Sequence, residues 1–298
     1  MMKELVVRHI KVFTRDRTAF LMSFLSVAIL IVMYKIFLGQ YQIDAIKEAM
    51  GTATVEQSVV DMVNYWLIAG LVTITSMTST LGAYGVMISD KEKGKNLDFQ
   101  LTAVSNGTLQ ISYIISAVII GTLTSFAAYL FGVVLFVGGD ALISSGINTF
   151  ALVLGNIFAA SFISILMIYP ICKVIKVTTA FATLSTIVGT VIGFISGIYI
   201  SIGSVSHTIQ KIMTFFPLTQ MNALMKKLLM KDSLQHVFSK APASVIAAYK
   251  QNYGIDLSFN AETILSVQNM ISYLVIFGVI LLIFNIIFTK AVRLVETS

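Results

Sequence analysis

Charge is scarce in this sequence: 11% of its 298 residues are Asp, Glu, Lys or Arg, where water-soluble domains carry about 25%. Cysteine occurs once, at Cys172, so no disulfide can form within the chain and the redox compartment leaves no trace. Three scattered histidines beside one cysteine supply no metal-ligand cluster. Also missing are the Gly-x-x-x-x-Gly-Lys-Ser/Thr phosphate loop, His-Glu-x-x-His, Gly-x-Ser-x-Gly and paired intramembrane aspartates, which removes the common nucleotide, metallopeptidase and serine-hydrolase sites. His207 lies near Ser204 and Ser206, but adjacency in a loop is not the geometry of a hydrolytic triad.

What is there is apolar: 57% of the residues are hydrophobic and the mean hydropathy is +0.89. Runs long enough to cross a bilayer, about 20 residues, recur at 18–37, 65–88, 111–137, 150–172, 177–202 and 264–288. The fold class is therefore an all-α integral membrane protein with six transmembrane helices. Lys35, at the end of the first run, can snorkel to the interface. No Asp or Glu lies in any run, which argues against a proton- or cation-coupled carrier.

The basic residues sit beside the runs and report topology. With the N-terminus inside, twelve of them fall in the short cytoplasmic segments and only Lys47 in the short opposite loops. Both termini are expected in the cytoplasm. That distribution flanks apolar runs and makes no nucleic-acid patch. Residues 1–16 mix Val6, Ile10 and Phe13 with Lys3, Arg8, Lys11 and Arg15 at helical spacing. They read as an amphipathic interfacial helix or as a positive flank that orients the first run, and the two are compatible. The loop 203–263 contains Pro217, followed by an apolar stripe of Leu218, Met221, Leu224, Met225, Leu228 and Leu229. A re-entrant or interfacial turn and then a helix are expected, the helix lying on the outer surface with Lys226, Lys227 and Lys231 off its apolar stripe.

The most informative stretch joins the second and third runs at 89–106. It opens with a charge cluster, turns at Gly94, and ends in a short helix presenting Leu97, Phe99, Leu101 and Val104. Apolar knobs on a charged loop suggest docking onto a partner, whereas a solvated orienting loop explains only the lysines.

This six-span layout, with the N-terminal amphipathic helix, Glu92-x-Gly94 followed by Leu101 and Ser105, and Pro217-Leu218-Thr219 after the fifth run, resembles the permease subunits of ABC type-2 exporters. The segment departs from the family's usual pattern in ending with Asn106-Gly107 rather than a proline. The resemblance covers essentially the whole chain, 1–298, as a single ABC type-2 transmembrane domain. It implies that 89–106 is a cytoplasmic coupling helix and that Glu92, Gly94, Lys95, Leu97, Phe99 and Leu101, with Lys173 and Lys176 in the next cytoplasmic turn, meet a nucleotide-binding subunit. It implies two copies of a separate ATP-binding cassette ATPase and a second permease, identical or homologous. This chain would bind no cofactor, ATP and Mg belonging to the partner, and it would sit among lipids in a bacterial cell membrane.

Two patterns within the spans bear on such a machine. Gly189, Gly193 and Gly197 repeat every four residues, a smooth face for a neighbouring helix of the same or another subunit. Thr179, Thr183, Thr186 and Thr190 align in the fifth run, and Thr73, Ser76 and Thr80 in the second. They either line a mildly polar pathway or bond back to their own helices. The substrate expected is hydrophobic or amphiphilic: a drug, an antibiotic-like compound, a lipid, a haemolysin or a peptide. The alternative from another class is a non-transporting membrane sensor or assembly component for which the loop is only a dock.

Overall fold

The computed structural model describes residues 1–22, 24–50, 56–102, 104–259 and 263–297; side chains at 18, 19, 22, 26, 49, 96, 97, 100 and 291–297 lie outside the described set. The chain is all-α, with an isolated antiparallel bridge between Ser258 and Ile264. In hydrocarbon a backbone must satisfy its own hydrogen bonds, and helices do so within one segment.

Helix α1 (Met2–Arg15) buries Leu5, Val6, His9 and Phe13 along one stripe and leaves Lys3, Lys11 and Arg15 exposed. After α2 (Arg17–Met22), the first bilayer-length stretch, Val27–Glu48, is built from α3 (Leu25–Met33), a π turn (Tyr34–Leu38) and α4 (Gly39–Met50). It lies further along the chain than the run at 18–37. Helix α5 (Gln57–Glu92) leads through Gly94, held at φ +72°, into the short α6 (Lys95–Gln100). Then come α7 (Asn106–Phe136), α8 (Gly139–Ser144), α9 (Ile147–Val174) and α10 (Thr178–Ile195). Ser105 caps α7, its Oγ accepting the Thr108 amide at 3.1 Å. The last part comprises α11 (His207–Phe215), α12 (Pro217–Leu229), α13 (Lys231–Val237), α14 (Ala243–Asn252) and α15 (Val267–Thr297). Among the described residues six helical stretches are long and apolar enough to span a membrane.

Helix α5 is the axis, packing against α7, α9, α10, α12 and α13. Its most apolar window is 78% buried, against 17% for α10 and 11% for α15. Lipid is as apolar as leucine, so helices associate in it through close packing, which small residues permit. A Cβ at Gly121 of α7 would collide with Thr80 of α5 and stand 3.1 Å from the Ser161 hydroxyl of α9. Gly70 and Gly85 of α5 receive Ile198 and the Phe181 ring from either end of the fifth span in the same way.

Helix α12 corrects one expectation. Its polar face is not left in solvent: the helix wedges between α5, α9 and α15 at the end of the bundle opposite α1. Leu218, Met221 and Met225 are buried, but so are Gln220, Asn222 and Lys226. These polar side chains are buried because backbone carbonyls at the ends of neighbouring helices give them partners.

Candidate functional site

Helices α1 and α6 gather at one end of the bundle, around Asp90. Asp90 is 2% exposed and accepts two bonds from the Arg8 guanidinium, one to each carboxylate oxygen. The Tyr113 hydroxyl of α7 donates to it at 2.7 Å. A buried carboxylate is tolerable only when paired and hydrogen-bonded, and three donors meet that requirement. The bond to Asp90 raises the Arg8 pKa, while burial lowers that of His9 to about 4. His9 is thus a neutral ring, stacked on Tyr113 with centroids 3.9 Å apart and bonded to Ser112 at 2.9 Å. These contacts lock α1 onto α5 and α7.

The connection 93–105 rests on this lock. The Arg8 guanidinium lies 5.2 Å from the centre of the Phe99 ring, and Phe99 and Val104 pack inward against the core. Leu101 faces out, 89% exposed. Phe99, expected to be offered to a partner, is partly buried against the chain's own core, and among the described residues the apolar knob left bare is Leu101. Lys95 is exposed at the start of α6, and the Leu97 side chain lies outside the described set. Lys173 is half-buried and Lys176 exposed in the adjacent turn.

Glu92, at the foot of this connection, accepts a bond from the Thr178 amide at 3.2 Å. It thereby satisfies an orphan donor at the N-terminus of α10, where a negative charge also opposes the helix dipole favourably. The other end of α10 is held as specifically. Thr219, Asn222 and Lys226, at i, i+3 and i+7 on α12, donate to the carbonyls of Ile195 at 3.1 Å, Ser196 at 3.2 Å and Gly197 at 3.5 Å. Lys226 also donates to the Tyr253 carbonyl at 2.9 Å, which closes α14, and its ammonium lies 4.8 Å from the centre of the Trp66 ring. Burial lowers its pKa to about 7. The carbonyls at these helix C-termini supply acceptors for its N–H groups, while burial works against the charged form.

Between its two held ends α10 leaves Thr179, Thr183, Thr186 and Thr190 exposed on one face, the last three hydroxyls bonded back to the carbonyls of Thr179, Ala182 and Thr186. The stripe on α5 has the opposite fate. Thr73, Ser76 and Thr80 are at most 2% exposed, walled in by neighbouring helices and bonded to their own backbone. The glycine repeat also finds its neighbour at home: a Cβ at Gly193 would strike the Tyr199 ring, and Gly197, at φ +63°, turns the chain out of α10. Gly189 is buried on the same helix.

Arg8, Asp90 and Tyr113 escaped the sequence reading because 82 residues separate the ion pair and neither partner has a motif. The Thr219, Asn222, Lys226 face did have a signal, a polar stripe at helical spacing inside an otherwise apolar helix. An apolar cavity of about 720 Å³ lies between α9, α12 and α15, with Leu152, Phe162, Leu224 and Val275 in its walls and Asn156 and Lys227 as its polar groups. Among the described residues no three His, Cys, Asp or Glu side chains could hold a metal ion. The family model for "ABC-2 family transporter protein" matches residues 40–288. No curated protein and no solved structure matches the chain.

Proposed function

The chain belongs to the ABC-2 family of transporter proteins, and from that premise we propose that it is the permease half of an ATP-driven exporter of hydrophobic or amphiphilic molecules. The family's members are multi-pass, non-ATPase membrane components that work with an ATP-binding cassette ATPase. In the arrangement proposed, two ATPase copies and a second permease complete the transporter. ATP and Mg stay with the ATPase. The end carrying α1 and α6 faces the cytoplasm of a bacterial cell, and α11 to α14 face outside, in keeping with the positive charge around α1, α6 and the turn after α9.

One observation carries the reading: Glu92 belongs at once to the docking connection and to the N-terminus of α10. A partner seated on Leu101 and the nearby Lys95, Lys173 and Lys176 would push a connection that α1, α5 and α7 hold stiffly. Glu92 would pass the displacement to α10, whose Thr179 to Thr190 face is exposed among the described residues. Exposed hydroxyls on a spanning helix suit a mildly polar passage between two permeases, and no charged group there would hold back an apolar molecule. Closure of the ATPase would then become a tilt or shift of α10.

Leu101→Asp puts a charge where the ATPase should bury an apolar knob. It should abolish co-purification of the ATPase while the permease reaches the membrane in normal amount. Retention of the ATPase and of transport in Leu101→Asp would overturn the coupling assignment.

A further inference from the structure

A second cavity, of about 670 Å³, opens at the end of the bundle that carries α11 to α14, and its walls mix polar with apolar groups. One wall is a face of α11 on which His207 and Lys211 stand one turn apart. The other is formed by Gln251, Asn252 and the segment from Asp256 to Phe259. Gly203 makes room for this wall, since any Cβ there would run into Asn252. Asp256, in this wall, is paired with Lys227, which lies outside the lining. Among the described residues no carboxylate pairs with Lys211, which leaves the cavity with an uncompensated positive charge beside amide donors. Such a lining recognises an anion.

The rim shows what the anion is attached to. Phe259, part of the cavity wall, lies 4.5 Å from Phe215 and 6.3 Å from Tyr273, ring centre to ring centre. Tyr273 stacks on Phe277 at 5.7 Å and donates its hydroxyl to the Phe215 carbonyl at 2.5 Å. Phe215 is 57% exposed. This aromatic file descends the first turns of α15, whose neighbouring Ile271, Val275 and Ile276 are also exposed. Aromatic rings at such a position mark the boundary between headgroups and acyl chains. A soluble anion would gain nothing from them, and a lipid would.

We propose that this cleft binds the headgroup of an anionic phospholipid from the adjoining leaflet. Lys211 and His207 would take the phosphate, Gln251 and Asn252 the headgroup hydroxyls, and Phe259 and Phe215 the start of an acyl chain. Placing that leaflet on the outside rests on the orientation of the proposed exporter; the binding itself does not, because it requires neither ATPase nor transport.

The test titrates the purified full-length chain in a neutral detergent with dioctanoyl-phosphatidylglycerol, dioctanoyl-phosphatidylcholine and glycerol 3-phosphate. Saturable binding of the phosphatidylglycerol is expected, weakened about tenfold or more by Lys211→Gln, the loss of one charge-assisted contact. Phe259→Ala should weaken it as well. Phosphatidylcholine and glycerol 3-phosphate should bind at least about tenfold more weakly than phosphatidylglycerol. Lys211 is exposed, so its replacement leaves the fold intact, and Lys211→Glu provides a second variant expected to abolish binding. Equal binding to wild type and both Lys211 variants overturns the proposal. Glycerol 3-phosphate bound as tightly as the lipid overturns it too, by making the cleft a site for soluble anions. A failed export assay beside intact lipid binding would count against the transport reading alone.

Discussion

Helices α5 and α10 carry almost the same hydroxyl stripe, and the structure treats them in opposite ways. Helix α5 is enclosed by its neighbours, α7, α9, α10, α12 and α13 among them, and its hydroxyls are closed off. Helix α10 is fastened at its two ends, by Glu92 and by the Thr219, Asn222, Lys226 face, and its hydroxyls are bare between them. In one helix small polar residues serve close packing; in the other they serve an open face. The residues cannot tell these apart, because a threonine bonded back to its own helix is equally at ease in either setting. The neighbours decide, and for α5 the decisive neighbour is Gly121. In the mechanism proposed, the contrast would make α5 the frame and α10 the part that responds.

Substitutions can break that contrast in a ranked order. Arg8→Met should be most damaging, because it strands the Asp90 carboxylate inside the frame at a cost of about 3–5 kcal/mol. Thermal unfolding in detergent should register the loss, and Asp90→Asn added to Arg8→Met should recover part of it. Thr80→Leu crowds the α5–α7 contact and should cost about 1–3 kcal/mol, whereas Thr186→Leu should stay within about 0.5 kcal/mol because its site is open.

The far fastening of α10 should be weaker than the frame. Lys226→Met leaves the Gly197 carbonyl without its donor, and the loss should be about 1–3 kcal/mol. The same lysine imposes a pH dependence. Its pKa is about 7 in the fold against 10.5 free, so between these values the unfolded chain holds more protons. Stability should therefore climb as pH rises from about 7 towards 10.5 and be level below 7, with this slope absent from Lys226→Met. Glu92→Ala removes an exposed cap and should cost about 1 kcal/mol. Its larger effect should be functional, with the ATPase still bound but its hydrolysis no longer answering to substrate.

The sequence was legible where periodicity and composition speak: six spans, an amphipathic α1, and a helix beginning at Pro217. It was less legible at span limits. The fifth span stops at Ile195 rather than 202 because Gly193 and Gly197 fold the chain back onto Tyr199, a contact that a four-residue glycine repeat advertises equally well for a foreign helix. The docking segment could be located but its faces could not be assigned, since Phe99 and Leu101 differ only in that Arg8, far away in the chain, covers one of them. Lys226 misled for a related reason. A lysine near a helix end ordinarily reaches water, and nothing local says that two helix C-termini converge on this one.

Cysteines placed at Thr186 and at Ser76 test the division between frame and moving helix most directly. The native Cys172 is buried and should stay silent. With the ATPase bound, a water-soluble maleimide should label Thr186→Cys and spare Ser76→Cys, and trapping the ATPase in its closed state should change the rate at position 186. If position 186 is as inert as position 76 in both states, α10 faces lipid or protein rather than a passage, and the division of the bundle into a fixed α5 and a responsive α10 is wrong.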